Sequence, residues 1–76
     1  MTRVLVVDDS EYLAHQISAF LEEHGFDVCA IGRDGFEGFT LYKEHHPDIV
    51  TLDLTMPNRD GRECLEDIVN ASPHFI

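Results

Sequence analysis

The chain has 76 residues, of which 43% are hydrophobic and 26% are charged, and its formal net charge is −10 at pH 7. This length predicts one small domain or part of a larger one, with an ordinary globular composition and no stretch near the roughly 20 apolar residues of a membrane span. The negative charge argues against nucleic acid or an anionic membrane as a direct partner and favours a cation or a basic protein surface.

The first predicted unit is a buried strand followed by an amphipathic helix. Residues 3–8 contain four consecutive aliphatic residues, which favours a strand covered on both faces, as in a parallel sheet. Because this apolar run is short and ends in aspartates, we expect no signal peptide. Ser10 is suited to cap the helix and Gly25 to end it. Its buried face is predicted from the hydrophobic residues at helical spacing, which are Leu13, Ile17, Phe20 and Leu21.

The second predicted unit has a shorter strand over residues 27–31. Asp34 and Gly35 break this strand and open a helix that ends before Pro47. We expect its inner face to be formed by Gly38, Phe39 and Tyr42, with Gly38 allowing close packing against the sheet. Two further residues fall off this face and are expected to be partly exposed, namely Phe36 and Leu41.

The third predicted unit begins with a strand over residues 48–53. A loop rich in turn-forming residues follows over residues 55–61. Residues 63–70 are predicted to form a third helix, stopped by residues 72–73, and residues 74–76 resemble the start of another strand. The inward side chains expected on this helix are Cys64, Leu65 and Ile68.

This alternation of strands and helices predicts right-handed βαβ units and a doubly wound parallel α/β sheet. In such sheets the ligand site lies at the carboxyl ends of the strands, beside the point where the strand order reverses. In the common order 2-1-3, the first and third strands are neighbours. Asp8, Asp9 and Asp53 should therefore meet at one edge of the sheet.

Three neighbouring carboxylates with no nearby Lys or Arg repel one another, and such a cluster persists when a divalent cation neutralises it or when the acids take part in chemistry. A carboxylate can attack a phosphoryl group and form an aspartyl-phosphate. Carboxylates and a backbone carbonyl are typical Mg²⁺ ligands. Asp8, Asp9, Asp53 and the backbone carbonyl of Thr55 match this need.

Several motifs together resemble the receiver domain of two-component response regulators. They are Val-Val-Asp-Asp-Ser at residues 6–10, Asp-Ile-Val-Thr-Leu-Asp-Leu-Thr-Met-Pro at residues 48–57, and Gly61 four residues after that Pro. Gly-Phe-Glu at residues 35–37 is similar to the opening of the family's second helix. The resemblance covers essentially all 76 residues. It implies a flavodoxin-like (CheY-like) doubly wound parallel sheet, here truncated to about three βα units.

The resemblance also implies roles for individual residues. Asp53 would accept a phosphoryl group from a histidine kinase or a phosphotransfer protein. Asp9 and Asp53 would bind Mg²⁺ directly with the Thr55 carbonyl, and Asp8 would help through a water molecule. A cytoplasmic location is expected, in agreement with our interpretation of Cys29 and Cys64 as small buried hydrophobic residues in a reducing compartment.

The family's complete fold has five strands and five helices, so residues 1–76 are expected to form a receiver domain that is incomplete at its C-terminus. The hydroxyl residue and the lysine that end the family's last two strands would be absent. An alternative function is therefore a non-catalytic interaction or dimerisation module. Two chains would pair through the edge of the third strand or through residues 74–76, because part of the first helix's hydrophobic face would otherwise contact water.

Other interpretations are open for individual residues. Asp53 could simply cap a turn and Asp9 a helix, and a cap can coexist with a metal site. The five histidines are interpreted as solvated surface residues. An aspartyl-phosphate phosphatase of the haloacid dehalogenase type would need an acid two residues after its nucleophile. Thr55 stands there for Asp53, and the Glu11 that follows Asp9 lies within the predicted helix start, so this class is disfavoured.

Overall fold

The computed structural model describes residues 1–53, residue 63 and residues 66–68. It contains, in chain order, β1 (Arg3–Val7), α1 (Glu11–Glu23), β2 (Asp27–Gly32), α2 (Gly35–His45) and β3 (Ile49–Leu52). Residue 63 and residues 66–68 are also helical, as expected for the third helix. The predictions for residues 54–62, 64–65 and 69–76 lie outside the described residues.

The three strands form a parallel sheet in the order β2-β1-β3, which confirms the predicted topology. At its carboxyl edge, Val7 of β1 is in register with Gly32 of β2 and with Leu52 of β3. The register between β1 and β2 shifts once, between Val4 and Leu5. Within the described residues, neither helix combines the length and the apolar content needed to cross a bilayer.

The side chains of β1 alternate between two hydrophobic clusters, one on each face of the sheet. Val4 and Val6 pack with Ala14 of α1, whereas Leu5 and Val7 pack against α2 and β3. These four side chains of β1 are at most 1% exposed. Full burial of a Val or Leu side chain contributes about 1.5–3 kcal/mol, so the central strand anchors the fold and fixes where its carboxyl end lies.

The face that α1 presents to the sheet differs in part from the predicted one. Ala14 is the buried residue of this helix, because a small side chain lets the helix approach β1 closely. Ile17 and Leu21 pack partly against the core, as predicted. Leu13 and Phe20 are 49% and 59% exposed, so the sheet covers only part of the predicted stripe. Their exposure agrees with the expectation that part of this face contacts water.

In α2, Gly38 packs closely against the end of β2, as predicted. A β-carbon built on Gly32 would lie only 3.1 Å from the backbone nitrogen of Gly38. Leu41 is partly exposed, as expected, but its predicted place off the inner face is wrong, because it packs with Tyr42 against the cluster around Leu5. Phe36 is 62% exposed, as expected.

Phe39 of α2 is half-buried, and a side chain of the same helix lies over its ring. The Lys43 ammonium lies 4.5 Å from the centre of the Phe39 ring, at cation–π distance. The residues of α2 that face the sheet are Gly38, Leu41 and Tyr42, which are spaced at i, i+3 and i+4.

Candidate functional site

Asp8 is held at the carboxyl end of the central strand by its backbone and by its side chain. Its N–H donates to the carbonyl of Gly32 at 3.0 Å. Its Oδ1 accepts the backbone N–H of Ser10 at 2.9 Å. The residue is 8% exposed and is the buried charged residue of the described part of the chain. The carboxylate therefore has a defined position, with one oxygen already engaged in a hydrogen bond.

Asp53 lies beside Asp8 on the neighbouring strand. Its N–H donates to the carbonyl of Val7 at 3.0 Å, which continues the ladder between β1 and β3 by one step. Asp53 is half-buried, and Asp9, the residue after Asp8, is exposed. The parallel register thus brings together acids from two distant parts of the sequence.

The three carboxylates form one cluster: a carboxylate oxygen from each of Asp8, Asp9 and Asp53 lies within 4.8 Å of the others. Mg²⁺ binds oxygen at about 2.1 Å, so its ligand atoms lie about 3–4.2 Å apart. Small side-chain rotations would bring these oxygens to that spacing. The exposure of Asp9 leaves room for the water ligands that Mg²⁺ usually keeps. The donor set therefore fits a magnesium ion.

Two of the three acids in this cluster, Asp8 and Asp9, have no cationic partner within the described residues. The ion pair found among the described residues joins Arg3 to Asp27 at 4.0 Å, at the opposite edge of the sheet. Two unit charges 4.8 Å apart repel by about 1 kcal/mol in water and by about 3.5 kcal/mol at an effective dielectric constant of 20. A bound cation would remove this repulsion.

A cavity of about 280 Å³ opens beside the acids, between α1 and β3. Asp8 and Asp53 line its polar side, and Leu13, Ile17 and Leu52 line its apolar side. The cavity is large enough for several water molecules. It therefore gives small polar groups access to the Asp53 carboxylate.

The structure brings together three of the four predicted site residues, Asp8, Asp9 and Asp53. The fourth, Thr55, lies outside the described residues. Two neighbours of the cluster were missed. The sequence predicts Ser10 only as a helix cap, whereas its N–H also donates to Asp8. Arg33 follows β2 at the same edge of the sheet. The sequence signal for Arg33 is its place two residues after the predicted second strand.

Comparisons with known proteins agree with this architecture. A family model described as the response regulator receiver domain matches residues 4–76. Protein CcdB of Bacillus subtilis (strain 168) is 42% identical over 73 residues, which are 96% of this chain and 61% of that protein. Chemotaxis protein CheY of the same organism is 42% identical over 66 residues, which are 87% of this chain and 55% of that protein. The chain thus spans little more than half the length of these relatives.

Solved structures show the same fold. The crystal structure of the CheX-CheY-BeF3-Mg²⁺ complex from Borrelia burgdorferi superposes with a TM-score of 0.92 at 39% identity, covering 96% of this chain and 56% of that one. The response regulator domain of Thermotoga maritima CheB gives a TM-score of 0.92 at 34% identity, covering 96% and 55%. The sheet order and these superpositions show a flavodoxin-like fold. The chain belongs to the receiver domain family of response regulators.

Proposed function

We propose that this protein is the phosphoacceptor of a two-component signalling system and that Asp53 receives the phosphoryl group. The donor is the phosphohistidine of a histidine kinase or of a phosphotransfer protein. One observation carries the proposal: in a chain of the receiver family, carboxylate oxygens of Asp8, Asp9 and Asp53 lie within 4.8 Å of one another at the carboxyl edge of the sheet.

Asp53 is the acid of this cluster best suited to act as the nucleophile. Asp8 lines the same cavity, but it is only 8% exposed and its Oδ1 already accepts the Ser10 N–H, so it is less accessible than Asp53. Asp9 is exposed to water, where a carboxylate is well solvated and weakly activated. Asp53 lines the cavity beside α1, which supplies access, and it is half-buried, so its carboxylate is less solvated than that of Asp9.

The proposed step is a displacement at phosphorus. A carboxylate oxygen of Asp53 forms a bond to the phosphorus atom while the phosphorus–nitrogen bond of the donor histidine breaks. The departing imidazole nitrogen keeps the bonding electrons, and the ring takes up a proton from solvent. Catalysis of such transfers rests mainly on positioning and on neutralising the charge of the transferred oxygens.

We propose that Asp9 and Asp53 bind Mg²⁺ directly, with the Thr55 carbonyl, and that Asp8 contributes through a water molecule. The ion would neutralise the acids and the transferred phosphoryl oxygens. The spacing of the three carboxylates supports the assignment. We also propose a cytoplasmic location and no direct contact of this segment with nucleic acid, the latter because of its net charge of −10.

Labelling experiments on the full-length protein test this function. Incubation with radiolabelled acetyl phosphate and Mg²⁺ should label the wild type, and Asp53→Asn should abolish labelling. Asp9→Asn should reduce labelling by weakening the metal site. Asp27→Asn is the matched control, because it removes the same charge at the opposite edge of the sheet, where Asp27 pairs with Arg3. Labelling that survives in Asp53→Asn would refute the assignment.

A magnesium titration tests the metal site without phosphoryl transfer. Millimolar Mg²⁺ should shift the amide resonances of residues 8–9 and 53–55, with weak affinity because Mg²⁺ gives up its water ligands reluctantly. The same shifts in Asp53→Ala, or no shifts in the wild type, would show that the ion does not bind at this cluster.

Exposed apolar side chains on α1 and on the edge strand β3 favour a second candidate, an interaction or dimerisation module. Within the described residues β3 pairs only with β1, and Leu13, Phe20 and Ile49 are 49%, 59% and 42% exposed. An uncovered apolar edge strand is a template for pairing with another chain. Two copies would therefore pair through their β3 edges. Pairing through residues 74–76, the alternative route, involves residues outside those described.

Sedimentation of the 76-residue chain tests this second candidate. We expect a dimer at micromolar concentration. Ile49→Lys should return the chain to a monomer, because it places a charge on the edge strand. A compact wild-type monomer that unfolds cooperatively would contradict the pairing.

A further inference from the structure

Arg33 is placed at the same edge of the sheet as the acidic cluster. It follows Gly32, which is in register with Val7, and the carbonyl of Gly32 accepts the N–H of Asp8 at 3.0 Å. Neighbouring strands lie about 4.8 Å apart. The backbone of Arg33 is therefore about one strand spacing from that of Asp8. The Arg33 side chain is long enough to span this distance and reach the three carboxylates.

The backbone around Arg33 is held by several independent contacts. The Arg33 N–H donates to Oε1 of Glu37 at 3.0 Å, and Oδ1 of Asp34 accepts the Glu37 N–H at 2.9 Å. The close approach between Gly32 and Gly38 fixes the preceding residue against α2. The backbone at position 33 is thus held in place, whereas the Arg33 residue as a whole is exposed to solvent.

The charge of Arg33 is available for an incoming group. Its guanidinium makes no hydrogen bond or ion pair within the described part of the chain. The two other basic residues described there are engaged elsewhere. Arg3 contacts Asp27 and the carbonyl of His45, and Lys43 covers the Phe39 ring. Among the described Lys and Arg residues, Arg33 is the one at the carboxyl edge of the sheet.

An anionic phosphoryl donor has to approach three carboxylates on a chain whose net charge is −10. We infer that Arg33 is a specificity-determining residue that draws the anionic phosphoryl group of a donor towards Asp53 and favours donors with the greater negative charge. This inference rests on the proposed function. The same positive charge should oppose Mg²⁺ binding, so removing it should change donor capture and metal affinity in opposite directions.

The expected size of the effect follows from Coulomb's law. A unit charge about 10 Å from a dianion in water should change the capture rate about threefold to fourfold. The effect should shrink towards unity near 1 M salt, where the screening length is about 3 Å. Removing the same charge should strengthen Mg²⁺ binding by a similar factor.

The test compares Arg33→Gln with the matched control Lys43→Gln in the full-length protein. Both variants change the net charge by one unit, and Arg33→Gln keeps the backbone N–H that binds Glu37. Labelling by acetyl phosphate at saturating Mg²⁺ and low salt should fall about threefold in Arg33→Gln and by less than about 1.5-fold in the control. Phosphoramidate, which carries less net negative charge, should be less affected, and Arg33→Lys should restore the rate.

Calorimetric titration with Mg²⁺ alone gives a readout independent of phosphoryl transfer, and Arg33→Gln should bind the ion about threefold more tightly. If the wild type is labelled on Asp53 but Arg33→Gln behaves like Lys43→Gln in both labelling and metal binding, the role of Arg33 is refuted and the proposed function stands. If the wild type is not labelled at all, the proposed function itself fails.

Discussion

Replacing Asp8 by Asn should stabilise the protein when no divalent cation is present. The change removes one of three clustered negative charges and alters the side-chain shape little. The oxygen that accepts the Ser10 N–H is retained, so the local hydrogen bond survives. The variant therefore isolates the electrostatic cost of holding this buried carboxylate near two others.

The magnitude follows from the separations in the cluster. At 4.8 Å, each pair of charges repels by about 1 kcal/mol in water and by about 3.5 kcal/mol at an effective dielectric constant of 20. Asp9 is exposed, so its pair with Asp8 lies near the lower value, whereas Asp53 is half-buried and its pair is intermediate. We expect the free energy of unfolding to rise by about 1–3 kcal/mol in Asp8→Asn.

Urea denaturation of the full-length protein measures this difference, first with a chelator and then with Mg²⁺. In chelator, Asp8→Asn should be more stable than the wild type. With Mg²⁺ at 100 times its dissociation constant, the wild type should gain about 2.7 kcal/mol, and the variant should gain less. Asp27→Asn, with the same change in net charge, should not be stabilised, because Asp27 pairs with Arg3. An Asp8→Asn variant that is no more stable than Asp27→Asn in chelator would refute the reasoning.

Five further substitutions test other contacts through the free energy of unfolding, measured by the same denaturation assay. His46→Gly should raise the free energy of unfolding by about 1 kcal/mol, because His46 ends α2 in a left-handed conformation with a φ of 48°. Gly25→Ala should lower it by about as much, because Gly25 has a φ of 86°. Either variant with the stability of the wild type would contradict this reasoning. Ser18→Ala should be neutral or slightly stabilising, because the buried Ser18 hydroxyl has no hydrogen-bond partner in the described region. Ser10→Ala should lower the free energy of unfolding by about 1 kcal/mol, because it removes the side-chain cap of α1. Gly32→Ala should cost about 1–3 kcal/mol, since its β-carbon would lie 3.1 Å from the backbone of α2, and a neutral result would show that α2 moves freely.

The order of elements and the meeting of the acids could be predicted from the sequence, because both follow from local patterns and one topological rule. Residues 4–7 form a continuous apolar run, and such runs become central parallel strands. Parallel strands end at the same edge, so Asp8 and Asp53 had to be neighbours once the strand order was 2-1-3. Their spacing, and the capture of one Asp8 oxygen by Ser10, depend on side-chain packing that the pattern does not contain.

The helix faces were harder to predict. Periodicity identifies a hydrophobic stripe but not which of its residues the sheet covers, so it does not show that Leu13 and Phe20 are the exposed ones. Ala14 was overlooked, because a small side chain gives a weak hydrophobic signal even where close approach requires it. In α2, Leu41 rather than Phe39 follows Gly38 at the helical spacing that faces the sheet.

Chemical trapping of the phosphorylated residue tests the central claim most directly. After reaction of the full-length protein with acetyl phosphate and Mg²⁺, borohydride reduces an aspartyl-phosphate to homoserine, and mass spectrometry locates the converted residue. We predict homoserine at position 53 and unchanged aspartate at positions 8 and 9. Conversion at position 8 or 9, or at position 53 to the same extent without phosphodonor, would contradict the account.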